Sequence, residues 1–91
     1  MDGKIVVKRH GHHEEFDEKK VYASVYNACR NTHLGEQQSE LYAQTVLDAV
    51  LNYIKDHKAI SSDKIFRFVC KELERHHQEA AYMYKTHRDI S

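Results

Sequence analysis

The pattern of apolar and polar residues divides the chain into a short β region and a long helical region. Residues 4–9 contain three β-branched residues and then basic ones, which predicts a strand. Gly11 suits the positive φ of a tight turn, and residues 13–16 are positioned to return as a second strand. The N-terminus is therefore predicted to form a β-hairpin.

Beyond the hairpin, apolar residues recur at three- and four-residue spacing, the period of an amphipathic helix. The periodicity predicts helices over residues 18–32, 36–57, 62–75 and 77–88. Asp17 and Ser61 stand where N-cap residues are expected, and each is flanked by apolar residues with the spacing of a hydrophobic staple. The expected buried faces carry aliphatic and small residues, among them Val25, Ala28, Cys29, Val46, Val50, Ile54, Ile65, Val69, Leu73, Ala80 and Ala81.

These elements predict a mainly helical α+β fold. A β-hairpin caps a four-helix bundle, and residues 59–61 are available as a third strand of that cap. A chain of 91 residues has room for a single domain, 1–91, with one modest core. The sequence contains no proline, which suits long helices.

Composition narrows the function more than it narrows the fold. Fourteen basic residues balance fourteen acidic ones, which argues against a nucleic-acid-binding module with its usual basic excess. The apolar runs are too short for a membrane span, and the N-terminus lacks the pattern of a signal peptide. The two cysteines fall within helical patterns and are interpreted as buried small residues, so a reducing cytoplasm is expected.

The eight histidines raise the possibility of a metal site. His10, His12 and His13 cluster at the predicted turn, but neither a helical His pair at i,i+4 nor a Cys-x-x-Cys motif accompanies them. Solvated turn residues are the favoured interpretation, with weak adventitious chelation as the alternative. No evolved metal site is predicted.

An enzyme is not predicted either. A nucleophilic Cys29 would need an exposed, electropositive site, whereas its position on an apolar helix face favours burial. Three scattered glycines do not form a phosphate-binding loop.

The residues around the hairpin combine the chemistry that a nucleotide requires. Lys8, Lys20 and the start of the first helix favour an anion. Two carboxylates are placed to accept hydrogen bonds from an amino group, and two valines offer apolar surface to a planar ring. These are Glu14, Asp17, Val6 and Val21. The alternative interpretation is an ordinary set of solvated charges on a hairpin.

Three motifs follow one another in order along the chain. They are Lys8-Arg9-His10-Gly11 with Glu14, Phe16-Asp17 and Lys20; Ile60-Ser61-Ser62-Asp63-Lys64-Ile65; and Ala81-x-x-Tyr84-x-x-His87-Arg88. Their joint order and spacing over residues 4–88 resemble the ATP-cone, a nucleotide-binding regulatory domain of ribonucleotide reductases and of the repressor of reductase genes. The chain departs from the family pattern at two positions, with His10 in place of Asp and His87 in place of Tyr.

The resemblance implies roles for residues at the base end of a nucleotide. Val6 and Val21 would hold the adenine between them, Glu14 and Asp17 would orient it, and Phe66 would contact the sugar. Packing is an alternative role for the apolar residues, and helix capping is one for Asp17.

At the phosphate end, the resemblance implies that Lys8, Arg9, Lys20 and Arg88 hold the triphosphate, with help from Ser62. The implied ligand is ATP or dATP accompanied by Mg²⁺, bound and not hydrolysed.

The function expected from the resemblance is a sensor that alters its own association or that of a partner chain when it binds an adenine nucleotide. Two alternatives remain open, a helical protein-interaction domain without nucleotide binding and a small His-rich metal-binding protein. In relatives the domain is fused to a catalytic barrel or a zinc ribbon. Met1 and the compact ends favour a free-standing protein over an excised domain, and both remain open.

Overall fold

The computed structural model of the chain describes residues 5–7 and 11–90, and for 88–90 it describes the backbone alone. In this part of the chain the fold is mainly helical with a small three-stranded sheet, as predicted. The elements in chain order are β1 (Ile5–Val7), β2 (His13–Glu15), α1 (Glu18–Arg30), α2 (Glu36–Ile54), β3 (Ala59–Ser61), α3 (Ser62–His76) and α4 (Gln78–Ile90).

The sheet has the order β2-β1-β3. β1 and β2 form the predicted antiparallel hairpin, with Val6 opposite Glu14, and Gly11 adopts a φ of 77° between them. β3 joins the other edge of β1 in parallel, and Val6 pairs with Ile60. The third strand is therefore confirmed, and both of these paired apolar residues are buried.

Local side-chain hydrogen bonds fix where two helices begin. The Asp17 carboxylate accepts a hydrogen bond from the Lys19 backbone N–H at 2.9 Å. The Ser61 hydroxyl accepts one from the Lys64 backbone N–H at 3.1 Å. Both predicted N-caps are confirmed, and each satisfies a donor that the first helical turn leaves free.

The ends of α1 and α2 come earlier than predicted. α1 ends at Arg30, because Thr32 turns the chain by donating its hydroxyl hydrogen bond to the Cys29 carbonyl at 2.6 Å. α2 ends at Ile54, where a turn closes through a 2.9 Å hydrogen bond from the His57 N–H to the Ile54 carbonyl. Lys55, His57 and Lys58, which fall at the C-terminal end of the predicted helix, consequently lie in the connection between α2 and β3.

Contacts among the helices surround one hydrophobic core. α1 packs on α2 and α4, and α3 packs on the same two helices. The largest fully buried apolar side chains belong to α1, α2 and α3: Val25, Cys29, Val46, Val50, Ile54, Val69 and Leu73. Tyr53 and Phe68 stack at the edge of this core with ring centroids 4.3 Å apart. Among the described helices, none combines the length and the apolar character needed to cross a bilayer.

Burial of Cys29 has a measurable consequence at alkaline pH. Its side chain has no exposed surface, and desolvation raises the pKa of the thiol from 9.0 to about 11. Between these pH values the unfolded chain releases this proton and the folded chain keeps it, so the free energy of unfolding falls as pH rises. The thiol's contribution to that loss is expected to reach roughly 2 kcal/mol near about pH 10.5.

The measurement is the free energy of urea unfolding between about pH 8 and 10.5, for the wild type and for Cys29→Ala. The variant serves as the control, because lysine and tyrosine titration affects both proteins equally. The difference in the free energy of unfolding between wild type and Cys29→Ala should become smaller as pH rises. A difference that does not change with pH would contradict the raised pKa of the Cys29 thiol.

Candidate functional site

An open cavity of about 630 Å³ lies where the sheet, α1 and α4 approach one another. Its walls come from β1, β2, α1, the start of α3 and the second half of α4. This volume falls in the range of small-molecule sites in proteins.

Seven of the ten residues predicted to bind a nucleotide line this cavity, although they come from four parts of the chain: β1, β2, the start of α1, and α3. They are Val6, Glu14, Asp17, Lys20, Val21, Ser62 and Phe66. Lys8 and Arg9 lie outside the described residues, as does the side chain of Arg88. The fold thus brings the described candidates together, and their binding roles remain predictions.

One side of the cavity is apolar. Val6 is buried and belongs to the core cluster as well as to the cavity wall, whereas Val21 is half-buried. Phe66 is also half-buried, and its ring stacks on Tyr84 with centroids 5.3 Å apart and an interplanar angle of 20°. These surfaces suit a planar ring, which gains contact area by lying against flat apolar groups.

A polar side is formed around the start of α1. The Lys20 ammonium lies 3.7 Å from a Glu14 carboxylate oxygen, and the two side chains are 71% and 42% exposed. An exposed ion pair of this kind is weak, so an incoming anion can compete for the lysine. The Asp17 carboxylate already caps α1, so it would have to act on a ligand in addition to that role.

The N-terminus of α3 also reaches the cavity. Ser61 provides the cap, and Ser62, the first residue of the helix, is half-buried in the cavity wall. Backbone N–H groups and the helix dipole make such a helix start favourable for a negatively charged group.

Sequence reasoning did not assign binding roles to two groups of lining residues. They are Ser24 and Asn27 on α1 with Asn31 directly after it, and Met83, Tyr84 and His87 on α4. A detectable signal existed on α1, since small polar residues continue the face of Val21 at three- and four-residue spacing. On α4, Tyr84 and His87 belong to a family motif, but the spacing of Met83 and Tyr84 equally fits a core-facing helix, so it did not indicate a binding role.

Cys29 has the buried environment predicted for both cysteines, whereas Cys70 is more exposed than predicted. Cys29 is buried and Cys70 is half-buried, and neither forms a disulfide. His12 and His13 are exposed next to the turn, and His10 lies outside the described residues. His12 also lines the cavity, which the interpretation as a solvated turn residue did not anticipate.

Comparison with known proteins gives a family match across almost the whole chain. The sequence pattern of the ATP cone domain matches residues 4–90, slightly beyond the range of the resemblance described above. A search among curated proteins gives no match. Because the family pattern covers the whole described fold, the chain belongs to the ATP-cone family of nucleotide-binding regulatory domains.

Proposed function

We propose that the chain, acting as one domain, binds ATP or dATP in this cavity as a regulatory ligand and does not hydrolyse it. The observation that carries the proposal is the junction of an apolar slot with Lys20 and the N-terminus of α3 in one cavity. A nucleotide has the matching two ends, a planar base and a polyanion.

The base end is assigned to the apolar side. The adenine lies between Val6 and Val21, and the Glu14 and Asp17 carboxylates accept hydrogen bonds from its amino group. Phe66, held by its stacking on Tyr84, contacts the sugar. This assignment is supported by the fact that all five of these side chains line the same cavity.

The phosphate end is assigned to Lys20 and Ser62, together with Lys8, Arg9 and Arg88. The described lining carries three carboxylates, on Glu14, Glu15 and Asp17, against the single ammonium of Lys20. The basic residues assigned above would offset these carboxylates, and we propose that Mg²⁺ accompanies the triphosphate. A hard cation of this type binds carboxylate and phosphate oxygens.

We further propose that nucleotide binding changes the association of the domain with itself or with a partner chain in the cytoplasm. The regulated process would be ribonucleotide reduction or the transcription of reductase genes. An adequate test is the mass of the chain in solution without ligand, with ATP and with dATP. A mass unchanged by both ligands, at concentrations that saturate the cavity, contradicts self-association.

Calorimetric titration of the full chain with ATP and dATP in the presence of Mg²⁺ tests the binding itself. Saturable binding is expected. Lys8→Ala and Arg88→Ala should each weaken it by about 1.5–3 kcal/mol, the contribution of a hydrogen bond to a charged group. Lys71→Ala removes an exposed charge that does not line the cavity, and should leave the affinity unchanged.

No binding at millimolar nucleotide would contradict the proposed function. Binding that both alanine variants retain in full would instead contradict the assignment of the phosphate site. The first result would favour a protein-interaction domain, for which two exposed apolar side chains provide support. Leu41 on α2 and Tyr82 on α4 are 63% and 67% exposed.

A further inference from the structure

A second cluster of ligand-type side chains lies outside the cavity lining, where the turn after α1 meets the start of α4. It consists of His33, His77 and Glu79, and one potential ligand atom from each lies within 4.8 Å of the others. The His33 Nδ1 atom is 3.2 Å from a Glu79 carboxylate oxygen, and the rings of the two histidines are 5.9 Å apart.

We propose that these three residues form a site for a divalent transition-metal ion of the Zn²⁺ type. Imidazole nitrogen and carboxylate oxygen are ligands that Zn²⁺ takes, and three protein ligands leave one position for water. Softer, thiolate-seeking ions and hard ions such as Ca²⁺ fit this donor set less well.

The spacing of the ligand atoms is close to what such an ion requires. Tetrahedral Zn²⁺ with bonds of about 2.0–2.1 Å places its ligand atoms roughly 3.3–3.4 Å from one another. The His33 and Glu79 atoms are already at 3.2 Å. The side chains of His33 and Glu79 are 81% and 56% exposed, so they are free to rotate. Such a rotation can bring their ligand atoms to coordination distance of the same ion as His77.

Hydrogen bonds hold the backbone beneath both halves of the cluster. The Thr32 hydroxyl accepts from the Leu34 N–H at 3.1 Å and donates to the Cys29 carbonyl, which fixes the turn that carries His33. At the other half, the His77 N–H donates to the Leu73 carbonyl at 2.6 Å. A metal site gains precision when its ligands extend from a fixed backbone in this way.

His77 also makes a structural hydrogen bond that metal binding would have to break. Its Nδ1 atom accepts a hydrogen bond from the Ala80 backbone N–H at 3.1 Å and so caps α4. A neutral imidazole has a single nitrogen lone pair, so His77 cannot accept this bond and coordinate an ion at the same time. The proposed affinity is therefore lower than that of a closed structural zinc site.

An ion at this position would join the turn after α1 to the start of α4. Because α4 carries Met83, Tyr84 and His87 to the cavity, the ion would restrain one cavity wall. Ligands that bind only the folded state raise its stability, so Zn²⁺ should also raise the melting temperature.

Titration of the full chain with Zn²⁺ in the absence of nucleotide tests the proposal, with Co²⁺ absorption as a second readout of coordination. Binding of one ion is expected. His33→Ala and Glu79→Gln should each lower its affinity at least about tenfold. His77→Asn should do the same while keeping a side chain that caps α4, which separates loss of a ligand from loss of the cap.

His76→Ala is the matched control, because it removes the neighbouring exposed histidine, which is not part of the cluster. Its affinity should equal that of the wild type. Two results would overturn the proposal: the absence of Zn²⁺ binding, or binding that survives His33→Ala and Glu79→Gln. Loss of binding in the double variant His12→Ala/His13→Ala would place the ion at the hairpin and overturn it as well.

Discussion

Replacing Lys20 with glutamate is expected to weaken ATP binding by about 100-fold, equivalent to roughly 2.7 kcal/mol. The change removes a charge-assisted hydrogen bond to phosphate, worth about 1.5–3 kcal/mol, and adds a negative charge facing the triphosphate. The fold should survive, since the ion pair between the ammonium and Glu14, at 3.7 Å, is exposed and therefore weak. Calorimetric titration with ATP and Mg²⁺ measures the effect.

Lys19→Glu provides a closely matched control. Lys19 is the preceding residue of α1, is exposed and does not line the 630 Å³ cavity, but its substitution changes the net charge equally. Its affinity for ATP should stay within a few-fold of the wild type. Equal weakening by both variants would show that ATP responds to the overall charge, and the assignment of Lys20 to the phosphates would be wrong.

Leu73→Ala is expected to lower the free energy of unfolding by about 2–5 kcal/mol. Leu73 has no exposed surface and lies on α3, which packs against α2 and α4. The substitution removes buried apolar contacts and leaves a cavity that close-packed neighbours fill only in part. For a small domain this loss is a large share of the total stability of about 5–15 kcal/mol.

Urea unfolding measures this loss, and Leu41→Ala provides the comparison. It makes the same substitution in α2 at a side chain that is 63% exposed, and should change stability by less than about 0.5 kcal/mol. Similar losses at the two positions would contradict the described core.

The features that the sequence predicted well are those set by neighbouring residues. Asp17 and Ser61 cap helices through hydrogen bonds to N–H groups two and three residues ahead, so their roles are visible in a short stretch of sequence. The helical faces follow from apolar spacing for the same reason. Gly11 supplies the positive φ that its hairpin turn requires.

Features that depend on distant contacts were predicted less completely. Residues 59–61 were available as a strand, but their parallel pairing with β1 depends on Val6 meeting Ile60, and no local pattern encodes that meeting. The early end of α2 at Ile54 has the same origin, because no glycine or proline marks it and the chain must turn there to reach β3.

The residues of the candidate site also differ in whether local sequence or distant contacts determine their positions. Residues of the hairpin and of early α1 could be proposed because they are close in sequence and combine complementary chemistry. On α4, the resemblance implied a role for Arg88, but none was proposed for Tyr84, which fits a core position equally well; only the packing of α4 on α1 turns Tyr84 towards the cavity. Its stacking with Phe66 joins two helices and has no sequence signature.

The construction of the cavity from both ends of the fold has a consequence during synthesis. Among the described elements, β1 is synthesised before the others and α4 after them, and both form part of the cavity wall. A chain still emerging from the ribosome therefore has an incomplete cavity until α4 has been made and packs on α1. Under the proposed function, a nascent chain does not compete for cellular ATP, and the nucleotide selects molecules whose folding is complete.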